Sequence, residues 1–102
     1  NLDLVGTGDD GIAVVNAILH EREFNTLNRL NSENQYFSTI KKRGEAANSD
    51  HYFFHVKGVK SFFIYTMGGT KAYHDVNDKA SDLPLTKYTE LYKLIIDFVA
   101  AL

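Results

Sequence analysis

Cysteine is absent from this 102-residue chain, so disulfides, thiol catalysis and thiolate metal sites are all excluded. Any metal must be held by histidine, aspartate or glutamate. An excess of positive charge is missing as well. Eleven Lys and Arg against thirteen Asp and Glu give a net charge of −2. That balance offers no electrostatic footprint for nucleic acid and no polybasic patch for a membrane surface. No apolar run reaches the ~20 residues that span a bilayer. No cationic and apolar leader opens the chain either. It begins on Asn1 rather than methionine, directly in a strand-like segment, and is therefore expected to be a piece of a longer protein. The composition, 44% hydrophobic and 24% charged, is that of a soluble globular domain. The length suits one small domain or part of one.

The apolar pattern divides the chain into alternating elements. Leu2–Val5 is a short apolar strand closed by the turn Gly6-Thr7-Gly8-Asp9-Asp10-Gly11. Ile12–Leu19 is β-branched and apolar, so a strand is expected there, forming a hairpin with the first. Arg22–Glu33 carries Phe24, Leu27 and Leu30 on one face of an amphipathic helix. Tyr36–Lys42 reads as a shorter strand that turns basic before Gly44. A helix is expected over Asp50–Lys57, capped by Ser49 or Asn48 and ended by Gly58. Val59–Met67 is almost continuously apolar, the pattern of a strand buried on both faces. Thr70–Pro84 is polar loop. Thr86–Leu102 places Tyr88, Leu91, Ile95, Phe98 and Leu102 on one helical stripe. The sum is an α/β fold, a mixed and mostly parallel sheet of about four strands covered by about three helices.

Several segments carry groups capable of chemistry. Gly6–Gly11 lacks the Lys-Ser/Thr of a phosphate loop and precedes a strand rather than a helix. It also lacks the spaced carboxylates of an EF-hand, so it reads as a turn. His20 reads as a solvated residue at a strand edge. His55 reads as a helix C-terminal residue that suits the macrodipole. Ser49, Asp50 and His51 are adjacent and cannot form a triad, which is assembled in space from separate segments. His74 and Asp78 follow the apolar strand and its glycine turn, in the run Tyr73-His74-Asp75-Val76-Asn77-Asp78. The end of such a strand is where α/β folds place chemistry. Asp3 ends another strand. Imidazole and carboxylate are natural zinc ligands where thiolate is absent. Asp3 and His74 are thus candidate metal ligands, the alternative for His74 being a solvated loop histidine.

Four motifs in order carry a resemblance. Asn1-Leu2-Asp3-Leu4-Val5-Gly6, Ser49-Asp50-His51-Tyr52-Phe53-Phe54, Gly58-Val59-Lys60-Ser61-Phe62-Phe63 and Tyr73-His74-Asp75-Val76-Asn77-Asp78 resemble segments of the M28 family of zinc exopeptidases. These are the aminopeptidases with the bacterial leucyl aminopeptidase and glutaminyl cyclase fold. The resemblance covers essentially the whole chain. It implies part of a phosphorylase/hydrolase-like zinc-peptidase fold and hydrolysis of N-terminal peptide bonds. It also implies two zinc ions in the intact enzyme. By resemblance Asp3 is a ligand to one zinc and His74 to the other. Ser49 hydrogen-bonds the Asp3 carboxylate, and Asp78 has a hydrogen-bonding role in the loop of His74.

The family's first His ligand, its bridging Asp and the Glu-Glu pair with the general base are not in this chain. They are expected upstream of Asn1, so no catalytic acid or base is assigned within it. The chain alone is expected to be inactive and to bind no zinc tightly. Some family members place a tyrosine three residues before the matched serine, and here that residue is Ala46. The usual Thr-Pro after the metal histidine is Asp75-Val76, which adds negative charge that favours a cationic metal or a free α-amino group. The resemblance also implies a peptide substrate and an exported bacterial protein. The alternative is a non-catalytic interaction module of exopeptidase ancestry. In either case an uncovered sheet edge is expected to promote self-association.

Overall fold

The computed structural model describes residues 1–3, 5, 7–68 and 86–102. Its centre is strand β1 (Gly11–Val15), whose residues Ile12 to Val15 are wholly shielded from solvent. β1 lies between β2 (Ile40–Lys42) and β3 (Phe63–Met67) in a sheet of order β2-β1-β3. Ile12 pairs with Ile40 in parallel, while Val14 pairs with Ile64 in the antiparallel sense. Beyond β3, Leu2 forms an isolated parallel bridge to Ile64.

Side chains alternate across a strand, so Ile12, Val14 and Ile64 share one face. Helices α1 (Glu21–Asn34) and α3 (Tyr88–Ala101) pack against each other. Their buried residues Phe24, Leu27, Leu91, Leu94 and Phe98 join Ile12, Val14 and Ile64 in one core cluster. Each fully buried Leu or Ile there contributes about 1.5–3 kcal/mol of transfer free energy. The other face carries Ala13, Val15, Phe63 and Tyr65, and receives the short helix α2 (His51–His55) through His51.

Among the described residues the architecture is mixed α/β with three helices, in line with the expected number, but the sheet differs from the expected four mostly parallel strands. Among the described residues it has three strands, one pairing parallel and one antiparallel. The expected hairpin between Leu2–Val5 and Ile12–Leu19 is replaced. Both edges of β1 are taken by β2 and β3, and Leu2 bridges Ile64 instead. β1 stops at Val15 because Asn16 adopts a left-handed conformation (φ 70°) and its carbonyl accepts from the amides of Leu19 and His20. The strand expected from Tyr36 starts only at Ile40. Phe37 spends its amide and carbonyl on the buried side chain of Asn31 instead, at 2.8 and 2.9 Å.

The end of α2 follows the glycine rule. Gly58 has φ +81°, its amide bonds the His55 carbonyl and the Val59 amide bonds the Phe54 carbonyl. Those two bonds form a Schellman motif, which delays the following strand to Phe63. Gly11 is constrained more tightly. It has φ +104°, and a Cβ built there would fall on the carbonyl of Thr39, its neighbour across the β1–β2 junction.

Two measurements check this framework. Gly11→Ala combines left-handed strain with a backbone clash and is expected to lower stability by about 2 kcal/mol or more, read from chemical denaturation. The half-buried phenol of Tyr36 donates to Asp97 Oδ2 at 3.0 Å. Desolvation, then the hydrogen bond and the negative charge of Asp97, hold its pKa above the ordinary value. A raised folded-state pKa contributes stability that is present below the unfolded pKa and is lost as pH rises through the folded one. Thermal stability is therefore expected to fall in the alkaline range, and Tyr36→Phe to flatten that fall.

Candidate functional site

The candidate site joins the first residues of the chain to the loop before α2. Main-chain bonds seat the first residues beside β3. The Ile64 amide donates to the Asn1 carbonyl at 2.9 Å, and the Asp3 amide donates to the Ile64 carbonyl at 3.3 Å. Because Leu2 pairs with Ile64, strand alternation turns Asp3 toward the face of Phe63 and His51. There the Ser49 hydroxyl donates to Asp3 Oδ2 at 3.2 Å and accepts from Asn1 Nδ2 at 2.8 Å. The amide can only donate to that oxygen, so it leaves the single hydroxyl hydrogen to the carboxylate. Ser49 was expected as a possible helix cap. The structure gives α2 no side-chain cap, with Asp50 at the N-cap position, and Ser49 Oγ bonds Asp3 and Asn1 instead.

The loop that carries Ser49 is tied down at several points. The Gly44 carbonyl accepts from the Asn16 amide at 3.1 Å. Glu45 Oε1 meets His55 Nε2 at 3.0 Å. The Ala46 carbonyl lies 2.7 Å from Nε2 of His51, a residue only 1% exposed. His51 stacks on Phe63 with ring centroids 5.5 Å apart. Ser61 Oγ donates to the His51 carbonyl, and the Ser61 carbonyl accepts from Asn16 Nδ2. The end of β1, the loop and α2 are thus joined by one connected set of hydrogen bonds.

His55 sits at the end of α2, as expected, with Glu45 as its partner. His20 differs from its sequence reading. It occupies the N-cap position of α1, tilts against Phe62 at 5.8 Å, and its Nε2 is buried without a hydrogen-bond partner among the described residues. It contributes with Leu2, Phe54, Phe62, Phe98 and Val99 to a cavity of about 540 Å³ whose walls are mainly apolar.

Asp3 is exposed and offers hard oxygen donors of the kind zinc accepts. Its carboxylate is held by a hydroxyl, as ligating carboxylates usually are. Among the described residues, no group of three or more His, Cys, Asp or Glu could hold a metal. The described residues therefore fit one ligand of a zinc site, not a complete one. His74 and Asp78 lie outside the described residues. The structure thus brings together Asp3 and Ser49 of the four site residues expected from sequence. It adds Asn1 and His51, the latter considered from sequence only within the adjacent run Ser49-Asp50-His51. Nothing in the sequence signals the burial of His51, which is 1% exposed.

The order of these segments matches a known family. The sequence profile described as Peptidase family M28 matches residues 1–99. The chain belongs to peptidase family M28. No curated protein and no solved structure matches it. Membership in M28 places the chain among peptide hydrolases, a family that is generally zinc-dependent. No helix among the described residues is long and apolar enough to cross a membrane.

Proposed function

We propose that this chain is the C-terminal part of a two-zinc aminopeptidase that hydrolyses N-terminal peptide bonds. The observation that carries the reading is the Ser49–Asp3 hydrogen bond, formed between two M28 motifs 46 residues apart. It supports Asp3 as a zinc ligand whose carboxylate is aimed by Ser49. His74 is proposed as a ligand to the second zinc, and Asp78 as a hydrogen-bonding residue of its loop. Residues upstream of Asn1 supply the remaining ligands and the glutamate that acts as general base. Bound zinc supplies Lewis acidity to the scissile carbonyl and the attacking water. Within this chain, Asp3 offers oxygen donors and Ser49 fixes their orientation. Ala46 has no hydroxyl to offer a developing oxyanion, so that charge is stabilised from elsewhere in the site.

A second reading is favoured by the surface. Phe53 and Phe54 of α2 are largely exposed, as are Tyr92, Ile96 and Val99 of α3. Apolar surface of that kind marks interaction sites. It supports an interaction module of exopeptidase ancestry. It also supports self-association through α2 and α3 more than through the β2 edge, where exposed Lys41 and Lys42 oppose strand pairing.

Three outcomes test these readings. The 102-residue chain is expected to show no tight, stoichiometric zinc binding by calorimetry, since a stable site needs three or four ligands. Tight one-to-one binding would refute that assignment. In a longer protein that carries the upstream ligands, Ser49→Ala is expected to lower zinc affinity or peptidase activity about 10- to 100-fold. Unchanged values would remove Ser49 from the site. Sedimentation is expected to show concentration-dependent association of the chain, and a clean monomer at high concentration would count against an exposed docking surface.

A further inference from the structure

We propose that His51 is a positioning residue for the Asp3 carboxylate, acting through a buried clamp on the loop that carries Ser49. The inference rests on the proposed role of Asp3 as a metal ligand, and it adds a residue to which no role in the chemistry has been assigned.

The clamp follows from donor and acceptor chemistry. His51 Nε2 lies 2.7 Å from the Ala46 carbonyl oxygen. A carbonyl only accepts, so Nε2 must carry the proton. The other ring nitrogen, Nδ1, is buried and has no partner among the described residues, which suits a lone pair better than an N–H that would go unsatisfied. The ring cannot turn away easily, because it stacks on Phe63 at 5.5 Å with an interplanar angle of 23°. Phe63 pairs with Val15 of the central strand. The imidazole is therefore fixed to the sheet on one side and to Ala46 on the other.

Ala46 stands three residues before Ser49, on the same loop. The Glu45–His55 pair also restrains this loop, but the Glu45 side chain is 58% exposed, and exposed pairs of that kind are weak. The His51–Ala46 bond is better protected, since the ring is 1% exposed and Ala46 is partly buried, and it costs more to break. Asp3 is seated on the sheet independently, through the backbone of Ile64. Carboxylate and hydroxyl thus meet only if the loop is held at the right height over the sheet. Gly44 is tied to the Asn16 amide and Ser49 accepts from Asn1, and His51 sets the height of the loop between those two ties. Its own side chain forms its hydrogen bond with Ala46, so its effect on the carboxylate passes through Ser49.

Side-chain substitution separates this role from simple packing. Gln carries a donor at a position close to that of Nε2, whereas Leu fills space without a donor. Carbon-13 NMR of the Asp3 carboxyl reads the hydrogen bond directly, with Ser49→Ala as the reference for its loss. His51→Leu is expected to move the Asp3 Cγ resonance to the position it takes in Ser49→Ala. His51→Gln is expected to keep it at the wild-type position. Core methyl signals of Ile12 and Leu94 report that the fold is intact. A wild-type Asp3 signal in folded His51→Leu would overturn the proposal, as would its loss in folded His51→Gln.

Long-range proton–nitrogen correlation on the unaltered chain gives an arm that needs no variant. Protonated Nε2 with bare Nδ1 supports the clamp, and the opposite tautomer overturns it even if His51→Leu fails to fold. None of these readouts needs zinc or substrate. A failed clamp therefore leaves the peptidase reading standing, while zinc-dependent activity that survives Asp3→Asn in a longer protein would remove that reading and leave the clamp.

Discussion

The whole structure depends on keeping β1 out of water. A strand with no exposure needs a partner on each edge and a cover on each face, because every unpaired buried amide or carbonyl is costly. β2 and β3 satisfy the edges, and α1 with α3 covers one face. The other face is closed by Phe63 and His51 stacked together. Gly11 lets the chain enter this strand where it crosses the Thr39 carbonyl, and Asn16 turns it out again. The candidate site is a by-product of that arrangement. It forms where the sheet's far side and the incoming loop must be joined.

The joint is polar, and its members are mutually dependent. Asn16 holds Gly44 and Ser61, Ser61 holds His51, and His51 holds Ala46. The last step, from Ser49 to Asp3, is exposed, whereas the side-chain bonds before it are partly buried. A buried polar network is expensive when any member is unpaired, and two of its atoms, Asn16 Oδ1 and His51 Nδ1, have no partner among the described residues. Most of the set is nevertheless satisfied, and the loop is consequently tied at Gly44, Ala46 and Ser49.

Much of this was legible in the residues because it follows from periodicity and turn chemistry. The 3.6-residue spacing of Phe24 and Leu27, and of Leu91 and Phe98, placed both long helices within a residue or two of their limits. Gly58 marked the end of α2 for the reason that only glycine readily takes its backbone angles. Strand partners were not legible. Apolar runs identify strands but not which edge of which neighbour they take, so Leu2 was paired with the wrong strand. Strand lengths failed where a side chain competed for the backbone, as Asn31 does for Phe37. Within the site, Asp3 and Ser49 were found through motif order and spacing. Asn1 and His51 were missed because their roles depend on burial and on contacts across the fold.

The bridge at Leu2 has an effect of another kind. Asp3 is positioned by amide and carbonyl groups that every residue except proline can provide, while the Leu2 side chain is 48% exposed. The address of the carboxylate is therefore written in main-chain atoms rather than in the identity of its neighbour. The Leu2 side chain instead lines the apolar cavity on the opposite face, so its chemistry serves that cavity. Variation in surface chemistry beside the carboxylate is thereby uncoupled from the geometry that holds it.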